Sequence, residues 1–357
     1  MRTVVILTRM PSPYQARLFD LLAADGRIGL RVIYERMTDA DRDWRAPTLA
    51  HEHACCRDAP FAQLEQWVRD SDLCVFGGYR DPFLRWLLTL RFAARLPFVF
   101  WGERFGYQTP LVVGAIYRRW AMRAFHATRS EMWGVGEMAV ASYRREFGPR
   151  RRYRNIPYSS DLSGFLSIAR DDAEARLPRL LFSGSLIARK GVDLLVAALE
   201  RALADGVAIA ATFVGDGPLR PQVERLARRH PDRVAHVGFT QMDALPDLYA
   251  RADVLVAPSR HDGWGLVVIE GMAAAMPVLA SDRTGAAVER VTAETGWLIP
   301  AGDAAALERT LREIARTPIA RLRAMGAAAR ARSRDDRVEA GRDRMIEAIE
   351  RCLAERS

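Results

Sequence analysis

One lysine stands among 53 basic residues; the other 52 are arginine. A chain that uses arginine almost everywhere keeps Lys190 either by chance or because the site needs a compact ammonium rather than a planar guanidinium. The surrounding segment is RLLFSGSLIARKGVDLLVAALE. An apolar strand ends in Gly184 and Ser185, Arg189 and Lys190 follow, and a helix begins near Asp193. Free amides at that helix start, together with two cations, suit a diphosphate. An ordinary strand–helix loop with solvated cations would carry the same letters. A second segment, ADVLVAPSRHDGWGLVVIEGMAAAMPVLASD, runs from a buried strand through a polar loop into a helix whose only charge is Glu270. A carboxylate among Val267, Val268, Ile269, Met272 and Ala273 is costly to bury without partners. It faces solvent, pairs with an arginine elsewhere, or meets the hydroxyls of a ligand such as a ribose diol. Asp262 lies eight residues earlier, and Gly263 and Gly265 let backbone amides approach an anion closely.

Both segments need strands and helices to hold them. Apolar runs of four to six residues recur along the chain and predict strands at Thr3–Thr8, Leu30–Tyr34, Leu73–Phe76, Phe98–Trp101, Met132–Val135, Arg179–Phe182, Ala208–Val214, Val234–Val237, Val254–Ala257, Val278–Ala280 and Trp297–Ile299. Most are apolar throughout, as in parallel strands covered by helices on both faces. Alternation with helical stretches means an α/β, doubly wound chain. At 357 residues, two hydrophobic cores are expected. The polar stretch SSDLSGFLSIARDDAEARLPR marks the break. The reading is a domain over 1–165, a second over 176–334, and a charged amphipathic helix over 335–357 packing back toward the first domain. That helix offers Val338, Met345, Ile346, Ile349 and Leu353. Ligands of such sheets sit beyond the C-terminal ends of the strands.

The pairing of GSLIARKG with PSRHDGWGLVVIEGMAAAMPVLASD resembles glycosyltransferase family 4, the retaining sugar transferases of GT-B fold. FVGDGPLRPQVERL and VGFTQMDALPDLYARADVLVAPS lie between in the family's order. Over 1–160, PSPYQARLFDLLA and FGGYRDP resemble the polysaccharide-assembly members. The resemblance implies two Rossmann-like domains with a cleft between them, and a nucleotide-diphospho-sugar donor as substrate, a UDP-sugar ahead of a GDP-sugar. It implies retention of anomeric configuration, no metal and no cofactor. The family's acidic residue, seven residues, then Glu corresponds to Asp262, beside the donor sugar, and Glu270, on the ribose. Backbone amides at Gly263, Trp264, Gly265, Leu266 and Val267 would face sugar and diphosphate. Lys190 matches the lysine that neutralises the leaving diphosphate. Three departures stand out. The family's arginine after the strand glycine is Ser185, with Arg189 a possible substitute. Its first-strand glycine pair is replaced by Pro11-Ser12-Pro13-Tyr14-Gln15, which reads as a helix start with Ser12 as N-cap and Gln15 closing a capping box. Ser12 and Tyr14 are then candidates at the first domain's cleft. The family's cleft histidine in that domain aligns, on LPFVFWGER, with Glu103, a candidate acid/base or hydroxyl-binding group; His126 is the competitor.

Charge and composition narrow the partners. Hydrophobic residues are 49% and charged residues 27% of the chain, and the net charge of +9 lies wholly within residues 1–160. That half is expected to meet something anionic. Arg150-Arg151-Arg152 with Arg154 has no stacking aromatics at module spacing, so nucleic acid is not expected. Phe83–Phe100 and Leu111–Phe125 are apolar with arginines four apart, Arg91/Arg95 and Arg119/Arg123. They read as an interfacial surface for anionic lipid, or as core helices with arginine rims. Four cysteines without a CxxC, no signal peptide and no transmembrane stretch suggest a cytoplasmic protein, peripheral at the inner face of the membrane. His51, His53, Cys55 and Cys56 are spaced too tightly for a usual zinc site. The expected activity is sugar transfer from a nucleotide sugar to a lipid-linked saccharide acceptor in surface polysaccharide assembly. A non-catalytic partner subunit, or an enzyme acting on the nucleotide sugar alone, are the alternatives that the motif departures leave open.

Overall fold

The structure is a computed structural model that describes residues 1–38, 44–106, 111–170 and 177–354. The chain divides into two compact units. The first comprises Met1–Ser160 and Arg337–Ser357, the second Asp161–Asp336. The second unit thus begins ahead of residue 176, because Phe165 seats its ring 4.9 Å from that of Tyr249. Part of the expected break, residues 171–176, lies outside the described residues, as do 355–357 at the end of the expected tail helix.

The first unit is built on seven parallel strands: β1 (Arg2–Thr8), β2 (Ile28–Tyr34), β3 (Glu52–Cys55), β4 (Leu73–Phe76), β5 (Phe98–Gly102), β6 (Met132–Gly134) and β7 (Tyr153–Asn155). Their order is β3-β2-β1-β4-β5-β6-β7. The second holds β8 (Arg179–Ser183), β9 (Ala210–Val214), β10 (Val234–Gly238), β11 (Val254–Ala257), β12 (Val278–Ser281) and β13 (Gly296–Ile299), also all parallel, in the order β10-β9-β8-β11-β12-β13. This is the doubly wound Rossmann arrangement twice over. The central strands are apolar on both faces because helices cover both. Val4, Val5, Ile6 and Leu7 have no exposure, nor do Val254 and Leu255. The strands at the edges of the first sheet were not expected from the sequence. β3 and β7 carry polar residues on a half-covered edge, Glu52 and His53 in one and Arg154 and Asn155 in the other.

The terminal helix Val338–Ala354 packs on the helix Pro13–Ala24 of the first unit. Its apolar stripe is what permits this: Val338, Met345, Ile346, Ile349 and Leu353 are all buried. Gly341 lies against Ser159, where a Cβ would come within 2.0 Å of the Ser159 hydroxyl. No helix among the described residues is long and apolar enough to cross a membrane.

One arginine departs from its expected place. Arg91 is fully buried rather than on a lipid-facing rim. Its guanidinium is spent on the carbonyls of Pro97, Val68 and Ser71, at 2.6, 2.7 and 2.8 Å. Arg151 likewise donates to the carbonyls of Ser130, Phe125 and Thr128, and Arg154 pairs with Glu131 at 2.6 Å. His51 and His53 belong to the start of β3. The buried His51 ring bonds to Asp20 at 2.6 Å and Tyr34 at 2.9 Å. Among the described residues no group of three or more His, Cys, Asp or Glu is placed to hold a metal ion.

Candidate active site

In the second sheet β8 and β11 are neighbours, and β8 pairs on its other side with β9. The strand order reverses here, the position at which ligands of such sheets bind beyond the strand ends. The two segments singled out from sequence leave these two strands, so the fold itself brings Lys190 and Asp262 together.

The loop after β8 makes one turn of 3-10 helix, Ala188–Lys190, and then Gly191 at φ +74°. A Cβ on Gly191 would lie 2.1 Å from the Pro258 carbonyl oxygen. Only glycine allows this conformation and this approach together. The loops are tied by backbone and side chains. The Arg260 amide donates to the Arg189 carbonyl at 2.9 Å. The Arg189 guanidinium donates to the His261 carbonyl at 3.0 Å. Arg260 grips Asp193 with two bonds of 2.6 and 2.7 Å and pulls the Asp193 pKa down. Arg189 therefore braces the site in this structure, and Ser185 stands exposed at the mouth of the loop.

Lys190 Nζ donates to Asp262 Oδ2 at 2.5 Å. Asp262 is itself nearly buried, and its amide donates to the Arg283 carbonyl at 3.0 Å. Gly263 follows, then Trp264, whose side chain turns into the protein with the Arg290 guanidinium 5.6 Å over its ring. Only the Trp264 backbone is left for a ligand. Gly265 adopts φ +89°, with Thr284 Cγ2 only 2.6 Å from where a Cβ would stand. The helix Leu266–Ala273 starts there without a side-chain cap. The amides of Leu266 and Val267, in its first turn, have no intrahelical partner. One turn further in, Glu270 is buried and accepts a bond from Tyr249 Oη at 3.3 Å. Burial pushes the Glu270 pKa up to about 7, against the pull of Tyr249 and of the Lys190 charge. A buried acid so poised, beside a cation and uncapped amides, is equipped to take a ligand that carries both hydroxyls and negative charge.

Sequence reasoning missed two members of this set. Tyr249 was hidden in the helix Leu245–Ala250, where, flanked by Leu248 and Ala250, it reads as a core residue. The Arg260–Asp193 clamp left none, since either residue alone reads as solvated.

The first unit gathers three of its four candidates at one edge. The helix Pro13–Ala24 follows β1, and Ser12 is its N-cap residue in extended geometry. The Ser12 hydroxyl bonds the Gln15 side chain at 3.2 Å and caps no backbone amide. Tyr14 lies 5.2 Å, ring to ring, from Tyr158, which packs edge-on to Trp101 at 5.4 Å. Glu103 follows β5. Tyr143 Oη donates to the carbonyls of Gly102 at 2.6 Å and Glu103 at 2.8 Å, fixing the backbone where Glu103 leaves the sheet. Burial raises the Tyr158 pKa, and the charges of Tyr14 and Glu103 add to it, so these groups share one neighbourhood. His126 is placed apart from them. It ends the helix Arg123–His126 ahead of β6, at the N-terminal edge of the sheet, 3.6 Å from Glu146 and with its ring tilted 4.5 Å from that of Phe147.

Residues 177–317 match the family described as "Glycosyl transferases group 1". Over 213 residues the chain is 28% identical to the GDP-mannose-dependent monoacylated alpha-(1-6)-phosphatidylinositol monomannoside mannosyltransferase of Corynebacterium glutamicum; the match covers 55% of this chain. The chain spans about half the length of that relative (55%). Among solved structures, sucrose-phosphate synthase from Thermosynechococcus elongatus superposes with a TM-score of 0.77 at 21% identity, covering 99% of this chain and 100% of that one. Anabaena HepE in complex with UDP-glucose superposes with a TM-score of 0.74 at 18% identity, covering 98% and 100%. The fold is the GT-B arrangement of two Rossmann-like domains.

Proposed function

We propose, from a second unit that is a group 1 glycosyl transferase domain, that this chain transfers a sugar from a nucleotide-diphospho-sugar to a saccharide acceptor carried on a lipid. The observation that carries the proposal is the Lys190–Asp262 pair at the β8–β11 crossover with Glu270 buried beside it. Glu270 takes the ribose hydroxyls. The diphosphate takes Lys190 and the amides of Gly265, Leu266 and Val267. Asp262, freed of Lys190 by the arriving diphosphate, turns to the donor sugar. In the transfer, the bond between the sugar's anomeric carbon and the diphosphate oxygen breaks, and its electron pair leaves with the nucleoside diphosphate. Lys190 stabilises the charge that grows there, the contribution to which a transition state is most sensitive. The acceptor hydroxyl forms the new bond on the face the diphosphate left, with retention, and loses its proton to the departing phosphate oxygen. The chemistry asks for no metal, since Lys190 and the amides supply the positive charge. In the first unit, Glu103 and Tyr14 serve the acceptor. Tyr14 and Tyr158, both half-buried and packed on one another, are the kind of aromatic pair on which a sugar ring packs. A UDP-sugar is the first donor to try and a GDP-sugar the second. An acceptor on a lipid places the chain at the inner face of the membrane.

The test is release of nucleoside diphosphate from a panel of UDP- and GDP-sugars, with and without lipid extract as acceptor. Acceptor-dependent release with one donor, lost in Lys190→Ala, supports the proposal. Release at the same rate without acceptor turns the assignment to an enzyme acting on the nucleotide sugar alone. No release and no nucleotide binding turns it to a non-catalytic partner.

A further inference from the structure

The helix Leu111–Ala121 in the first unit is amphipathic the wrong way round for a water-facing surface. Its buried side holds Gly114, Arg118 and Ala121. Arg118 is turned inward, bonded to Glu146 at 3.1 Å and lying over the Phe105 ring. Its outward side is apolar: Val112 is 72% exposed, Val113 59%, Ile116 67% and Trp120 53%. The neighbouring helix Pro82–Ala93 continues this face. Arg85 stacks 4.7 Å over Trp120 and donates to Tyr117 Oη at 2.9 Å. Next to Arg85, the exposed Trp86 packs 4.4 Å from the exposed Phe61. Single exposed apolar residues are ordinary, but four on one helix face, with Trp86 and Phe61 exposed beyond Arg85, mark a contact surface.

Charge says what kind of surface it meets. Between Asp81 and Glu131 the chain carries eight arginines and one acid, Glu103. Both helices of the face lack acidic residues entirely. Arg119 and Arg123 are exposed beside the apolar stripe. A protein partner of ordinary composition would call for some carboxylates here. An apolar stripe flanked only by arginine, with Trp and Tyr among its members, matches the acyl–headgroup boundary of an anionic bilayer.

We propose that the face formed by Val112, Val113, Ile116, Trp120 and Trp86, rimmed by Arg119 and Arg123, docks this chain in the plane of an anionic membrane surface. The proposal rests on the lipid-linked acceptor put forward above and names the surface by which the chain reaches it. The stripe enters the headgroup layer and the arginines hold lipid phosphates at its edge.

The test is co-sedimentation of the full chain with vesicles of phosphatidylcholine alone and of phosphatidylcholine with about one-third phosphatidylglycerol. Binding is expected to the anionic vesicles only, with a blue shift of tryptophan emission and quenching by brominated acyl chains. Ile116→Asp should reduce binding at least tenfold and remove the quenching. Arg119→Glu with Arg123→Glu should remove the preference for anionic lipid. All these residues are exposed, and an unchanged circular-dichroism melt confirms folding of each variant. Binding that ignores the anionic fraction and both variants overturns the proposal. So does a dimer in sedimentation analysis that Ile116→Asp dissociates, which would assign the face to a second copy. Vesicle binding needs no donor, so its failure is distinguishable from failure to bind a nucleotide.

Discussion

Lys190 and Glu270 make opposite demands on their surroundings. Lys190 needs an anion, and in this structure it has Asp262 at 2.5 Å. A diphosphate must therefore compete with a carboxylate for it, which ties donor binding to release of Asp262. Loss of a bond to a charged group costs about 1.5–3 kcal/mol. Lys190→Ala should then weaken nucleoside diphosphate binding by roughly ten- to a hundredfold, and Lys190→Arg should fail to restore it, because a planar fork does not replace a point charge; titration calorimetry checks both. Glu270 needs hydrogen-bond donors, and here it has chiefly the Tyr249 hydroxyl. Its pKa rises from 4.5 to about 7. The folded chain thus keeps a proton that the unfolded chain has lost, so this group's effect is a stability that falls as pH rises from 4.5 to about 7 and then levels. Ribose hydroxyls donating to the carboxylate favour its ionised form. Nucleotide affinity should accordingly rise by roughly tenfold between about pH 6 and pH 8, and Glu270→Gln should flatten that rise. An affinity independent of pH in the wild type would separate Glu270 from the ligand.

At the scale of elements, the site depends on how closely two loops approach. Gly191 sits where a Cβ would strike the Pro258 carbonyl. Gly191→Ala should destabilise the second unit by about 3 kcal/mol and abolish nucleotide binding; a thermal melt with and without nucleotide reads both. The apolar central strands were legible because each is buried on both faces, so an uninterrupted run such as VVIL or DVLVA has one meaning. The edge strands of the first sheet, β3 and β7, were not. In β3, Glu52 and His53 are exposed and only Ala54 and Cys55 are buried, so the segment shows neither an apolar run nor a regular alternation. The same limit applied to arginine. Arg91 was expected on the rim of its helix, yet it is held by backbone carbonyls that only the folded chain brings together. Asp262, Glu270 and Lys190 were legible because motif spacing reflects the loop–helix geometry that positions them. Tyr249 was not, since it joins the site from a helix that precedes β11.

For the whole molecule, the two units divide the charge as well as the fold. The excess of positive charge lies in residues 1–160, while residues 161–357 are balanced. The terminal helix Val338–Ala354 belongs by packing to the first unit. Deleting residues 337–357 should expose the apolar side of the helix Pro13–Ala24 and lower the melting transition of the first unit by several degrees. The nucleotide-stabilised transition of the second unit should move little; calorimetry of the truncated chain resolves the two. The measurement that bears most directly on the account is a calorimetric comparison of nucleoside, nucleoside monophosphate and nucleoside diphosphate, in the UDP and GDP series, on wild type, Lys190→Ala and Glu270→Ala. One series is expected to bind saturably, to tighten at least tenfold on gaining the second phosphate, to lose that gain in Lys190→Ala, and to lose the nucleoside's own affinity in Glu270→Ala. Wild-type protein that is folded and binds no member of either series, or a diphosphate gain that survives in Lys190→Ala, would contradict it.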